Sequence, residues 1–142
     1  MKYILDTHTF LWALFDTSKL PRPVIDIILN ETNDIYVSTI TFWEISLKYS
    51  IGKLSLNNIL PDDLPAYSKK SGFEIINFDD KIASSFYKLP RVEHFDPFDR
   101  MLIWQAINND LIIITRDKKF KEYIQHVLRL FWKLKKDNNY KP

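Results

Sequence analysis

Apolar residues recur along this chain with two different periods, and the periods alternate. Residues 2–6, Lys-Tyr-Ile-Leu-Asp, predict a short strand that ends in an acid. Residues 7–15 place Phe10, Leu11, Leu14 and Phe15 at helical spacing, so a helix follows at once. Pro21 and Pro23 suit the first turn of a second helix running through Val24, Ile27, Ile28 and Leu29. Ile35-Tyr-Val37 is β-branched and strand-like. Residues 38–51 predict a helix, with Ser38, Thr39 or Thr41 as candidate caps and Gly52 near its end. Residues 54–65 carry Pro and Asn and predict a loop, leading to a helix around 62–70. A weak strand at 73–76 precedes a helix over about 79–87. Asp96-Pro97 opens an amphipathic helix that carries Met101, Leu102, Trp104, Ala106 and Ile107. Leu111-Ile-Ile-Ile114 is short, continuous and apolar, as expected for a strand buried on both faces.

Strands alternating with helices imply an α/β domain with a parallel sheet. Crossover connections then place the C-terminal ends of the strands on one edge, where ligands of open α/β sheets bind. At 142 residues and 46% hydrophobic content, the chain suits one domain with a real core. We expect a single domain over 1–142, with its core at about 2–120 and a C-terminal segment, 121–142, of open structure. That segment (Tyr123, Ile124, Val127, Leu128, Leu130, Phe131, Trp132, then lysines) suits a final strand, a helix or a partner-binding tail.

Composition excludes several chemistries. There is no Cys, so disulfides and thiolate metal sites are ruled out and a reducing cytoplasm is the expected location. Only Gly52 and Gly72 occur, which excludes a Gly-rich phosphate cradle. No apolar window approaches the roughly 20 residues of a spanning helix, so no membrane partner is expected. Asp6 and His8 interrupt the N-terminal apolar stretch before it resembles a secretory signal. The net charge of +2 is neutral on nucleic-acid binding, and the basic residues from Arg116 to Lys141 read most simply as a solvated run.

The acids are more informative. Asp6 directly follows the first strand and Asp117 follows the last clear one. Asp99 lies in the first turn of the helix after Pro97, and Glu44 within two turns of the 38–51 helix start. All four therefore fall near one sheet edge. Each also has a local use. Asp6 can cap the helix at Thr7, Thr41 and Glu44 have capping-box spacing, Asp96 can cap Pro97 with Asp99 at N3, and Asp117 suits a turn. Together, four carboxylates in one crevice would repel strongly without a cation between them. Oxygen-only ligands point to a hard ion, Mg²⁺ or Mn²⁺, and such ions work on phosphates. With no Cys nucleophile and no Ser-His-Asp arrangement, phosphodiester hydrolysis is the economical chemistry.

Several strings carry a family likeness. Ile4-Leu-Asp-Thr-His8 with Trp12, Ser38 with Trp43-Glu-Ile45 and Lys48, and Ile51-Gly-Lys-Leu54 resemble the PIN-domain family. So do Asp96-Pro-Phe-Asp-Arg-Met-Leu-Ile103 with Gln105-Ala106, and Thr115-Arg-Asp117. The resemblance spans about residues 2–120, and is closest to the branch that includes VapC-type toxins of toxin–antitoxin pairs. It implies a three-layer α/β/α fold with a central parallel sheet and Mg²⁺- or Mn²⁺-dependent RNA cleavage, with tRNA as a substrate class. It places the acidic quartet on Asp6, Glu44, Asp99 and Asp117, and implies a cognate antitoxin and a homodimer. The long C-terminal segment departs from the family, whose members usually close with a short strand.

Other residues carry less. Asp96 reads as a cap first and a metal helper second. Thr7 and Thr115 could bond the carboxylates, and Arg100 and Arg116 could touch phosphate or form a plain ion pair. His8 reads as structural, and His94 and His126 have no ligand spacing. Trp12, Trp43 and Trp104 read as core or dimer contacts. The alternatives to a toxin ribonuclease are an RNA-processing or DNA nuclease of the same fold, and a catalytically silent binding module. The silent module would be expected to have lost an acid; all four are present.

Overall fold

The computed structural model describes residues 1–91 and 96–120 in full and the backbone of Arg129–Phe131. His94, His126 and the rest of the 121–142 segment lie outside the described residues.

Five strands form one wholly parallel sheet in the order β3-β2-β1-β4-β5: β1 (Lys2–Leu5), β2 (Asp34–Ser38), β3 (Glu74–Ile76), β4 (Ile112–Ile114) and β5 (Arg129–Phe131). The helices are α1 (Thr7–Phe15), α2 (Arg22–Leu29), α3 (Thr39–Ser50), α4 (Leu64–Lys70), α5 (Asp80–Ser85) and α6 (Pro97–Asn108). Each predicted element is found within a few residues of its expected place. The segment left open at the C-terminus contributes β5, with Ile112 opposite Arg129 and Ile114 opposite Phe131.

Side chains alternate across a strand, so the central strands must be apolar at every position to be buried on both faces. Tyr3, Leu5, Ile112 and Ile114 face one core with Phe10, Val24, Ile45 and Leu64 from α1 to α4. Ile4 and Ile113 face the other, with Leu102, Ile103 and Ala106 of α6 and with Phe120. This is the α/β/α arrangement expected.

The connections explain where a site can form. From β1 the chain moves outward through β2 to β3 over one face, then returns across the other through α5 and α6 to β4. With right-handed crossovers, the reversal leaves β1 and β4 adjacent with their following segments diverging. Their shared C-terminal end is the topological switch point of the sheet, where open α/β folds have a crevice.

Local chemistry fixes the element ends there. Ser38 Oγ caps α3 by accepting from Ile40 N at 3.1 Å, and Asp96 Oδ1 caps α6 by accepting from Asp99 N at 2.9 Å. α3 stops at Gly52, whose φ of +74° is left-handed, as a helix C-terminus favours. Behind the edge, fully buried Gln105 accepts from Ser38 Oγ at 2.5 Å and donates to Asn77 O at 3.1 Å. That network locks α6 against the ends of β2 and β3. Among the described residues, no helix is long and apolar enough to cross a membrane.

Candidate functional site

Asp6 sits where β1 becomes α1 and serves both structures. Its backbone N–H extends the sheet by donating to Ile114 O at 3.2 Å. Its Oδ1 caps α1 by accepting from Thr9 N at 2.8 Å. Its Oδ2 accepts the Thr115 hydroxyl at 2.5 Å, across from the end of β4. The carboxyl group is only 6% exposed, and burial pushes its pKa above the ordinary 3.8; the bonds from Thr115 and Thr9 and nearby His8 offset this in part. Capping therefore accounts for one oxygen and does not account for the charge.

Thr115 joins two of the acids. While donating to Asp6, its Oγ1 accepts from Asp117 N at 3.0 Å, and Asp117 Oδ1 takes Lys119 N at 2.9 Å. Asp6 and Asp117 thus line one cavity of about 440 Å³ together with His8, Trp12, Arg116 and Lys118.

Glu44 belongs to a second group. The capping box with Thr41 is not formed, because Ser38 is the cap and Thr41 lies buried in the first turn, its hydroxyl without a partner among the described residues. Glu44, 5% exposed, instead accepts the Thr7 hydroxyl on Oε1 at 2.6 Å and the Lys48 ammonium on Oε2. Thr7 follows Asp6 directly in the chain, so it links the two groups. Burial pulls the Lys48 pKa down, but the bond and charge of Glu44 and the fields of Asp96 and Asp99 outweigh it, and the group ends above its ordinary 10.5. The start of α6 reaches this point because Phe98 packs edge-to-face on Trp43, with ring centroids 5.6 Å apart.

Asp6 and Asp117 therefore line one cavity at the sheet edge, while Glu44 pairs with Lys48, which also lies in the field of Asp96 and Asp99. Among the described residues, no three acidic or histidine side chains are gathered closely enough to hold one ion. The donor chemistry nevertheless fits a hard divalent cation. All four candidates offer oxygen, and buried Asp6 is held above its ordinary pKa with no Lys or Arg ion pair among the described residues, a cost that a cation would relieve.

Other expectations fall variously. Asp96 caps α6 as read. Thr7 and Thr115 bond carboxylates as read. Arg116 lines the cavity, whereas Arg100 donates to the carbonyls of Leu89 and Pro90 at 3.3 Å each and lies over Phe86. That use ties α6 to the preceding loop. His8, read as structural, is exposed on the cavity, and its i, i+4 spacing with Trp12 was the available signal. Trp12 and Trp104 pack against the two cores, while Trp43 is 56% exposed. Lys48, present in a motif but given no role, shows its signal as Glu44-x-x-x-Lys48, one helical turn.

The profile of the PIN domain family matches residues 3–124. No protein of curated function matches the chain in sequence. Several solved structures share the fold. VapBC2 from Rickettsia felis, bound to a DNA fragment from its promoter, superposes with a TM-score of 0.64 at 21% identity, covering 92% of this chain and 98% of that one. DNA-bound VapBC from Salmonella typhimurium gives 0.62 at 21% identity, covering 92% and 97%. VapBC-5 from Mycobacterium tuberculosis, a member of the VapBC family of toxin–antitoxin systems, gives 0.55 at 18%, covering 92% and 97%.

Proposed function

The chain belongs to the PIN-domain family, and from that premise we propose that it is a single-domain, metal-dependent endoribonuclease, the toxin of a type II toxin–antitoxin pair. The observation that carries the reading is buried Asp6, tied through Thr115 to Asp117 at the switch point of the sheet. A carboxylate kept there at a cost in solvation is what a phosphate-directed cation site needs.

Asp6, Glu44, Asp99 and Asp117 would supply the oxygens for Mg²⁺ or Mn²⁺, with Asp96 as a helper, although no three of them stand gathered around one point among the described residues. When bound, the ion supplies Lewis acidity and a more acidic water. The protein's own groups do the rest. Thr115 and Thr7 fix the Asp6 and Glu44 carboxylates by hydrogen bonds. Lys48 pairs with Glu44 and partly offsets the negative field of Asp96 and Asp99. Arg116, exposed beside Asp117, is placed to bind a substrate phosphate. RNA loops, with tRNA as the expected class, can reach such a pocket more easily than an intact duplex backbone.

The partner reading is supported by the VapBC assemblies that share the fold, which pair a toxin with an antitoxin. A cognate antitoxin and a homodimer in the cytoplasm are the corresponding expectations here. Trp43, Leu47 and Ile51 give α3 and its end an apolar stripe, 42–57% exposed, that a protein partner would cover.

The test is digestion of total cellular RNA by the purified chain with Mn²⁺ or Mg²⁺, beside EDTA and Asp6→Ala, with fragment ends sequenced. Discrete cuts that vanish in both controls are expected. A folded, antitoxin-free protein that cuts nothing would point instead to a silent binding module.

A further inference from the structure

We infer that the cavity beside Asp6 and Asp117 is a stacking subsite for one unpaired nucleobase, with His8 and Trp12 as its platform. The inference rests on the nucleic-acid-cleaving reading of the acidic site and adds what that site grips.

The lining combines three chemistries. Asp6 and Asp117 supply carboxylates, Arg116 and Lys118 positive charge, and His8 and Trp12 aromatic rings. The two rings stand one helical turn apart on α1, with centroids 5.8 Å apart and planes tilted by 44°. Trp12 is half-buried against the core, so its indole is held rather than free to turn. Lys19 Nζ lies 5.9 Å from the Trp12 ring centroid and adds positive charge near the platform. His8 is exposed, and core packing does not require its ring.

A nucleotide matches this set group by group. Its base offers a π face to the rings, and its phosphate an anion to Arg116 and Lys118. The phosphodiester adjoining the base then falls at the acids. The cavity, about 440 Å³, is within the usual range for a small bound group. A base inside a duplex cannot present its face, so the occupant is unpaired, in a loop or single strand. Stacking tolerates every base, which predicts a preference for single-strandedness over sequence at this position.

The probe is a fluorescently labelled single-stranded decaribonucleotide and its fully abasic counterpart, with binding read by anisotropy in EDTA at low salt. The wild-type chain should bind the intact probe about tenfold more tightly than the abasic one, the scale of one or two stacked bases. Trp12→Leu, which keeps apolar packing but removes the face, should bring that ratio close to one. His8→Ala should narrow it, and Trp12→Phe should retain most of it. A deoxyribose probe with the same base preference also supports the subsite, because stacking ignores the 2′-hydroxyl. Equal binding of intact and abasic probes, no binding of either, or a ratio untouched by Trp12→Leu in a folded protein overturns the inference. Cleavage of RNA in a parallel Mn²⁺ reaction judges the nuclease reading separately. Cutting without base preference sinks only the stacking subsite, and base preference without cutting sinks only the nuclease.

Discussion

Replacing Asp6 by Asn should make the metal-free protein more stable. The substitution keeps the shape and the Oδ1 acceptor for Thr9 N, puts an amide N–H where Oδ2 accepted the Thr115 hydroxyl, and removes a charge from a site only 6% exposed. Burying that charge costs several kcal/mol after relaxation. Two hydrogen bonds, from Thr9 and Thr115, return about 1.5–3 kcal/mol each. The pKa pushed upward by burial says that desolvation outweighs these bonds, so neutralisation should raise stability at pH 7. In a domain of this size each kcal/mol gained raises the melting point by roughly 3–5 °C. The sign with pH follows from the raised value. Between 3.8 and the folded pKa, the native state holds a proton that the unfolded chain has released, so stability falls as pH rises through that window. The favourable contribution is complete below 3.8 and lost above the folded value. The advantage of Asp6→Asn should therefore be largest at neutral pH and shrink on acidification. Metal should invert the order, since an ion at 100 times its Kd adds about 2.7 kcal/mol to the wild type and little to the variant. Calorimetric melts at pH 4 to 8, in EDTA and in Mn²⁺, check all of this. A variant less stable than wild type in EDTA at pH 7, or an advantage that grows on acidification, would refute the reasoning.

Three further outcomes follow from the same contacts. Thr115→Val removes the donor to Asp6 and the acceptor for Asp117 N, and should cost about 1–3 kcal/mol in urea melts and lower cleavage. Lys48→Met leaves buried Glu44 without its ammonium; because Lys48 is 35% exposed, the expected loss is only about 1 kcal/mol, read in the same melts. Gln105→Leu strands the Ser38 hydroxyl and the Asn77 carbonyl, and should destabilise by about 1–3 kcal/mol; a neutral result would mean that the network does not hold α6 in place.

The elements were legible in the sequence because their signals are local. Ile112, Ile113 and Ile114 had to be apolar throughout, since alternate side chains enter opposite cores. Ser38, Asp96 and Gly52 announced helix ends through bonds and backbone angles that span only a few residues. That acids would meet at one edge followed from parallel topology alone. How they are grouped did not. Thr7 reaches Glu44 across 37 residues and Thr115 reaches Asp6 across 109, and such pairs depend on strand order and helix rotation, which no periodicity encodes. The same holds for Lys48 among Glu44, Asp96 and Asp99, for Arg100 turned to backbone carbonyls, and for β5 beside β4. Sequence by itself determined which segments are strands and helices and which residue types could do phosphate chemistry. Tertiary structure decided which oxygens share a site, because burial on both faces of the sheet selects one strand order and only that order brings the ends of β1 and β4 together.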